Sequence, residues 1–199
     1  MGQYYLVVNL DKKEFIHPHK FNDGLKLMEF GTSGTGTMAA LALLLSNGNG
    51  QGSGDCDSEH PSIGSWAGDR IVVAGDYGNP HKFFPETTTE ELQEVANKSF
   101  TEGHQNPEAV TLYHLAKHSF KDISVDIMAA MLEDAYLADN LEPVLNQHTF
   151  QPFKETIIAA KKKQKEKIAE CFTTQVIEYP KQKEKIAECF TTLVIEYPE

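Results

Sequence analysis

The sequence predicts an α+β domain, with a mostly antiparallel N-terminal sheet, a glycine-rich turn leading into a buried helix, and a helical C-terminal half. Two observations predict it. Before residue 80 the apolar residues fall in short β-branched runs, "YYLVVNL" and "DRIVVAGDY". From Thr88 onward the apolar spacing changes from two to about 3.6 residues. Strands early and helices late segregate the two element types, which is the α+β pattern.

Taken in order, Tyr4 to Leu10 reads as the first strand, and "NLDKKEFI" as a turn into a second strand through Phe15 and Ile16, forming a hairpin. "GLKLMEF" alternates Leu25, Leu27 and Glu29 against Lys26, Met28 and Phe30, which suits a third strand, with a short helix as the alternative. Thr37 then caps a buried helix, "MAALALLLS". Residues 47–64 are loop by composition, and Asp69 to Tyr77 is the clearest strand. Thr88 and Glu91 have capping-box spacing ahead of a helix that buries Leu92, Val95, Ala96 and Phe100. Asn106 and Pro107 open a second helix with Leu112, Leu115, Ala116 and Phe120 inward. Ser124 opens a third, burying Ile127, Met128, Met131, Leu132 and Ala135.

At 199 residues, 40% of them hydrophobic, the chain suffices for one domain, placed at 1–160, followed by a tail at 161–199. The tail carries a tandem duplication: "KQKEKIAECFTTQVIEYP" at 163–180 recurs at 181–198 with only Gln175 and Leu193 differing. Two copies are too few for a solenoid, which needs at least ~3 repeats. Each copy joins a basic helical piece to "TTxVIEY", whose alternation suits a strand, so one copy is structural and the other redundant.

The formal charge of −11, with Arg70 the only arginine, excludes nucleic acid as the main partner and a multi-arginine phosphate clamp. The apolar run Met38 to Leu45 is far below the roughly 20 residues that span a bilayer, so no membrane partner is expected. The first residues read as a strand and not as a signal peptide. Cys56, Cys171 and Cys189 have no framework spacing, which suits reduced thiols in a cytoplasm.

Half of the 14 glycines lie between Gly31 and Gly54. A glycine turn opening a helix can bind an anion, because free N–H groups and the helix dipole converge there, which makes Gly31, Gly34, Gly36 and Thr37 the candidate ligand-binding residues. "MEFGTSGTGT" resembles the nucleotide-binding turn of S-adenosylmethionine-dependent methyltransferases, in which an acid at a strand end precedes Gly-x-Gly-x-Gly. Glu29 and Gly31 fit that pattern, while Ser33 and Thr35 stand where it next wants glycine. The turn has no lysine, so it is not a P-loop.

"GDCDSEH" spaces Asp55, Asp57 and Glu59 like the first ligands of a calcium loop, but His60 and Trp66 occupy the positions that require Gly and Glu. His114 and His118 share a helix face, yet Leu115 replaces the glutamate of an HExxH site. No metal or cofactor is therefore implied. For catalysis the candidates are Asp76 as a base, Arg70 as an anion anchor, and His17 and His19, which point alike if "IHPHK" is extended. Arg70 and Asp76 share a strand face but stand roughly 20 Å apart, too far to pair.

The start of the chain through "LMEFG", together with "GSWAGDRIVVAGDY", is similar to uncharacterised bacterial or phage proteins over about the first 80 residues, a resemblance that implies no activity. Two function classes follow. One is an acidic binding or inhibitory module, immunity-like or anti-defence-like, docking on a basic protein partner; residues 84–146 hold twelve acids and three lysines to steer it. The other is a nucleotide- or S-adenosylmethionine-like small-ligand enzyme or sensor using the turn at residues 31–36.

Overall fold

The computed structural model describes residues 2–48, 55–56, 58–79, 87–134, 136–139, 141, 162 and 166. Apart from Glu166, both repeats of the tail, with Gln175 and Leu193, lie outside the described residues, as do Asp57 and Ala135. The fold is α+β. Among the described residues there are four strands, β1 (Tyr5–Asn9), β2 (Glu14–Ile16), β3 (Ile71–Gly75) and β4 (Lys121–Asp122), in the spatial order β3-β1-β2-β4. β1 is antiparallel to both β2 and β3, and β4 adds parallel to β2 with Phe15 opposite Asp122.

The hairpin forms as its sequence implies. Asn9, wholly buried, accepts the N–H groups of Asp11 and Lys12 on its side-chain oxygen, both at 3.0 Å, and so closes the turn. β1 is buried on both faces, so it reads as an unbroken apolar run. Val7 and Ile16 face one cluster with Leu44 of α2 (Thr37–Leu45) and Ile127 and Met131 of α5 (Ser124–Glu133). Leu6, Val8 and Phe15 face the other way, onto Leu112 and Tyr113 of α4 (Leu112–Ser119). Outside α4 lies α3 (Thr89–Ser99), whose Val95 and Ala96 meet Val110 and Leu115.

Two local readings need correction, one pair of alternatives is resolved and one strand is new. Of the strand and short helix open for residues 27–31, the chain forms the helix, α1 (Leu27–Gly31). Glu29 folds back to accept the Lys26 N–H at 3.0 Å, and of the alternating apolar residues only Leu25 and Phe30 are buried. Thr37 is the first residue of α2, and Gly36 holds the cap position. Asn106 and Pro107 start only a 3₁₀ turn, Pro107–Ala109; the helix itself begins after Thr111, which closes a second capping arrangement with His114. β4 was not foreseen, since two polar residues carry no periodic signal. The Thr88–Glu91 capping box is present as read, with Thr88 Oγ accepting the Glu91 N–H at 3.2 Å.

Trp66 is wholly buried, and its indole N–H donates to Glu14 at 2.8 Å. The loop carrying it closes the end of α2, with Gly64 and Trp66 donating their N–H groups to the carbonyls of Leu43 and Leu44, both at 2.8 Å. Gly64 has φ +71, and a Cβ there would stand 2.7 Å from the Ser46 carbonyl oxygen, so only glycine fits.

Candidate functional site

The glycine turn does precede a helix, but only Thr37, Ala40 and Leu44 of it are buried while Met38 and Leu45 are exposed, and its N-terminus is occupied from within the chain. Asp23, in the loop before α1, places one carboxylate oxygen 2.6 Å from both the backbone nitrogen and the hydroxyl of Thr37. The next N–H, that of Met38, donates to Ser33 Oγ at 3.3 Å. The first two N–H groups of α2 thus meet a carboxylate and a hydroxyl of the same chain, and the positive end of the helix already faces an anion. A Cβ on Gly36 would collide with that carboxylate, whereas around Gly31 and Gly34 there is open space. Gly36 is therefore glycine to admit Asp23. Glu29, the acid of the methyltransferase-like pattern, is committed to the cap of α1.

Arg70 and Asp76 sit at opposite ends of β3, and each anchors a neighbouring segment. Arg70 donates from Nε and Nη2 to Asp11 at 2.8 and 2.5 Å, and its backbone N–H reaches the other Asp11 oxygen at 2.7 Å. This holds the carboxyl of Asp11 below the usual carboxylate range, chiefly through the side-chain bond to Arg70. Beside it Asp69 accepts from Asn9 at 2.7 Å and pairs with Lys12 at 3.4 Å, so the hairpin turn is clamped to the start of β3. At the far end Asp76 accepts the backbone N–H of Tyr4 at 3.0 Å.

His17 and His19 lie beyond the end of β2, their ring centroids 5.5 Å apart. Burial of the His17 ring, helped by the charges of His19, Lys20 and Lys117 and opposed by Asp122, pushes its pKa down to about 4. Among the described residues its buried Nδ1 meets no hydrogen-bond partner, and with the pKa lowered to about 4 the imidazole is neutral near pH 7 and a poor base there. Nearby, Ser124 is wholly buried. It donates its hydroxyl to Asp122 at 2.6 Å and accepts the backbone N–H of His17 at 2.8 Å. Burial raises the Asp122 carboxyl, but the bonds from Ser124 and Lys20 outweigh it and leave its pKa lowered. These are the residue types of a hydrolytic triad, but the serine meets the histidine's main chain and not its ring. No imidazole activates it, and the group fastens β2 and β4 to the start of α5.

His17, His19, Arg70 and Asp76 therefore divide among three places: the Asp11 clamp, the Tyr4 end of β3 and the corner after β2. Among the described residues no three His, Cys, Asp or Glu side chains converge on a metal-sized site. His114 accepts at Nδ1 from the Thr111 N–H at 3.2 Å and meets the Phe100 ring at a tilt of 59°, with centroids 5.0 Å apart. Burial is the first cause of the lowered pKa of both His114 and His118.

An acid-rich surface is built by α3 and the 3₁₀ turn Pro107–Ala109 packed beside it. Glu90, Glu91, Glu94, Glu102 and Glu108 are all exposed, against Lys98 as the only Lys or Arg in residues 87–110. Lys98 is paired with Glu94 at 2.6 Å. Asp23 and the Ser124–Asp122 pair are the residues that sequence reasoning missed; Asp23 carries no local signal, because its partner lies 14 residues away. No helix among the described residues is long and apolar enough to cross a membrane. Compared with family models, curated proteins and solved structures, the chain matches none.

Proposed function

We propose that the chain is an acidic binding module that docks on a basic protein partner, in the manner of an immunity or anti-defence protein in a bacterial or phage-infected cytoplasm. The observation that carries this reading is the acid-rich layer of α3 and its neighbouring turn, five exposed carboxylates against one lysine. Lys98 is committed to Glu94, and Glu90, Glu102 and Glu108 have no ion-pair partner among the described residues. A one-signed face of this kind attracts a basic partner and speeds the encounter. Underneath, the helix is held by its apolar contacts to α4, so the carboxylates are presented on a packed support.

The small-ligand reading relies on N–H groups at the start of α2 that Asp23 and Ser33 already receive, and an incoming phosphate or carboxylate would meet a negative charge. The docking reading needs no such displacement. Its test is capture on the immobilised full chain at low salt, with the bound protein identified and then titrated against salt. The interaction should weaken steeply as ionic strength approaches 0.15 M, where the Debye length is about 8 Å. Reversing Glu90, Glu102 and Glu108 to lysine should abolish it, without lowering the melting temperature by more than a few degrees. A partner held equally by the reversed variant refutes the assignment of this face.

A further inference from the structure

We infer that the outer face of α2 is a docking surface for the chain's own segment 153–171, bound as an amphipathic helix that brings in the first copy of the duplicated tail and leaves the second outside. Apart from Thr37, the helix "TMAALALLL" holds no polar residue, and a helix apolar on every side is ordinarily buried on every side. Among the described residues only one side is covered. Ala40 and Leu44 are wholly buried in the core, with Ala39, Leu41 and Leu43 packed at its rim. The opposite side, Met38, Ala42 and Leu45 at spacings of four and three, is exposed, Met38 at 37% and Leu45 at 39%. Leu27 and Met28 of α1, which packs against α2, are open as well. Ala42, small and central, lets a second helix come close, toward the about 8 Å lower end of interaxial distances.

What fits this face is the segment that leaves the core beside it. Leu141, 1% exposed, lies in the same cluster as Ala40 and Leu44. From there residues 142–152 can span roughly 35–40 Å, well beyond the ~13 Å length of α2. Residues 153–171 contain no Gly or Pro and follow Pro152, which suits the first position of a helix. Within this stretch Lys162 and Glu166 are the described residues, both helical and both exposed, one turn apart. At about 3.6 residues per turn the side opposite them carries Phe153, Ile157, Ala160, Gln164, Ile168 and Cys171, an apolar seam broken only by Gln164. The lysines of 161–167 are left to the outer side and the rim. The second copy repeats only the part of this seam from Gln182 to Cys189, and Pro180 cuts it off from any helix before it. A tethered helix stands at about millimolar effective concentration, whereas a second copy of the chain carries the same net charge of −11 and is repelled.

The test is disulfide trapping in the full chain with Cys56, Cys171 and Cys189 changed to serine. Ala42→Cys is combined in turn with Ala160→Cys, Gln164→Cys, Lys162→Cys and Gln182→Cys, the last at the second-copy position that corresponds to Gln164. Each protein is oxidised when dilute and its links are mapped by peptide mass spectrometry. Links within one chain to Ala160→Cys or Gln164→Cys should form at least tenfold faster than to Lys162→Cys or Gln182→Cys, because only the seam of the first copy comes within disulfide reach of α2. Links that form as readily to Lys162→Cys or Gln182→Cys, links between chains only, or no link to the seam overturn the inference. A second measurement keeps the native cysteines and covers the case in which a trapping variant does not fold. Met38→Lys with Leu45→Lys should release the segment, so that trypsin cuts within residues 161–167 at least tenfold faster than in the wild type, with hydrogen exchange at the Val7 and Val8 amides unchanged. Cleavage no faster than in the wild type also overturns the proposal.

Discussion

Removing the Asp23 carboxylate tests whether the glycine turn is a closed structural joint or an anion site. In Asp23→Ala, α2 loses the acceptor for the N–H of Thr37, and the Thr37 hydroxyl loses its partner while the residue stays wholly buried. Loss of a helix cap costs about 0.5–2 kcal/mol. An unsatisfied buried hydroxyl adds about 1 kcal/mol or more. The sum, about 2–3 kcal/mol, corresponds to a fall in melting temperature of roughly 5–10 °C for a chain of this size. Asp23→Asn keeps an oxygen on Thr37 and loses only the charge at the helix dipole, so it should cost about 1 kcal/mol.

The assay is chemical denaturation of the three proteins, repeated with sulfate, phosphate, a nucleotide or S-adenosylmethionine at millimolar concentration. The wild type should not respond, because its helix end already holds a carboxylate. Asp23→Ala should be stabilised by sulfate or phosphate, which can replace the missing charge. A wild type stabilised by nucleotide as strongly as the alanine variant would refute the closed-joint reasoning and restore the ligand-binding reading of Gly31, Gly34, Gly36 and Thr37.

Two further outcomes follow from buried polar groups. The folded pKa of His17, about 4, lies below the ordinary 6.5, so the unfolded chain takes up this proton first. The stability gained from a neutral His17 is complete above pH 6.5 and is lost as pH falls toward 4. A shift of that size corresponds to about 3 kcal/mol, and partial solvent exposure reduces it to roughly 1–2 kcal/mol. Denaturation at pH 7 and pH 4.5 should show the wild type losing that much more than His17→Phe, and parallel pH profiles would contradict the assignment. Trp66→Phe should cost about 1–3 kcal/mol, since it removes the indole N–H from Glu14 in a fully packed site. A loss below about 0.5 kcal/mol in urea denaturation would show that Glu14 finds water instead.

What could be read from the sequence were features whose cause is local. The capping box of α3 spans four residues, and the hairpin and β3 announce themselves by β-branched runs. The joint before α2 could not be read this way, because the group that closes it is 14 residues from Thr37 and looks like any other loop aspartate. α1 stood only as the alternative to a strand, because of a period-two pattern whose apolar members Leu27 and Met28 turn out 45% and 69% exposed; alternation signals a strand only where one face is buried. β4 exists because its main chain completes β2, through Lys121 N–H to Lys13 O and Ile123 N–H to Phe15 O, both at 3.0 Å, and side-chain patterning has no part in that.

The candidate site residues were chosen by chemical type, and the fold puts most of those types to structural use. Asp11 takes Arg70, Asp23 takes Thr37, Glu29 takes the Lys26 main chain, Asp76 takes Tyr4 and Asp122 takes Ser124. In each case the carboxylate receives a main-chain N–H, a side-chain donor or both, at a turn or an element end where backbone donors would otherwise lack a partner. An acidic composition therefore overstates the charge at hand for function, since these carboxylates are spent on joints between elements. Glu90, Glu102 and Glu108 are different: they are exposed, they close no turn, and removing their charge would leave every described main-chain bond in place. A surplus of like charge on α3 and the segment that follows it, with no ion pair among the described residues, is the feature that distinguishes this stretch from the other acidic segments. It is on α3 and the segment through Ala109, and not at the glycine turn, that a change of sign should alter what the protein binds while leaving how it folds intact.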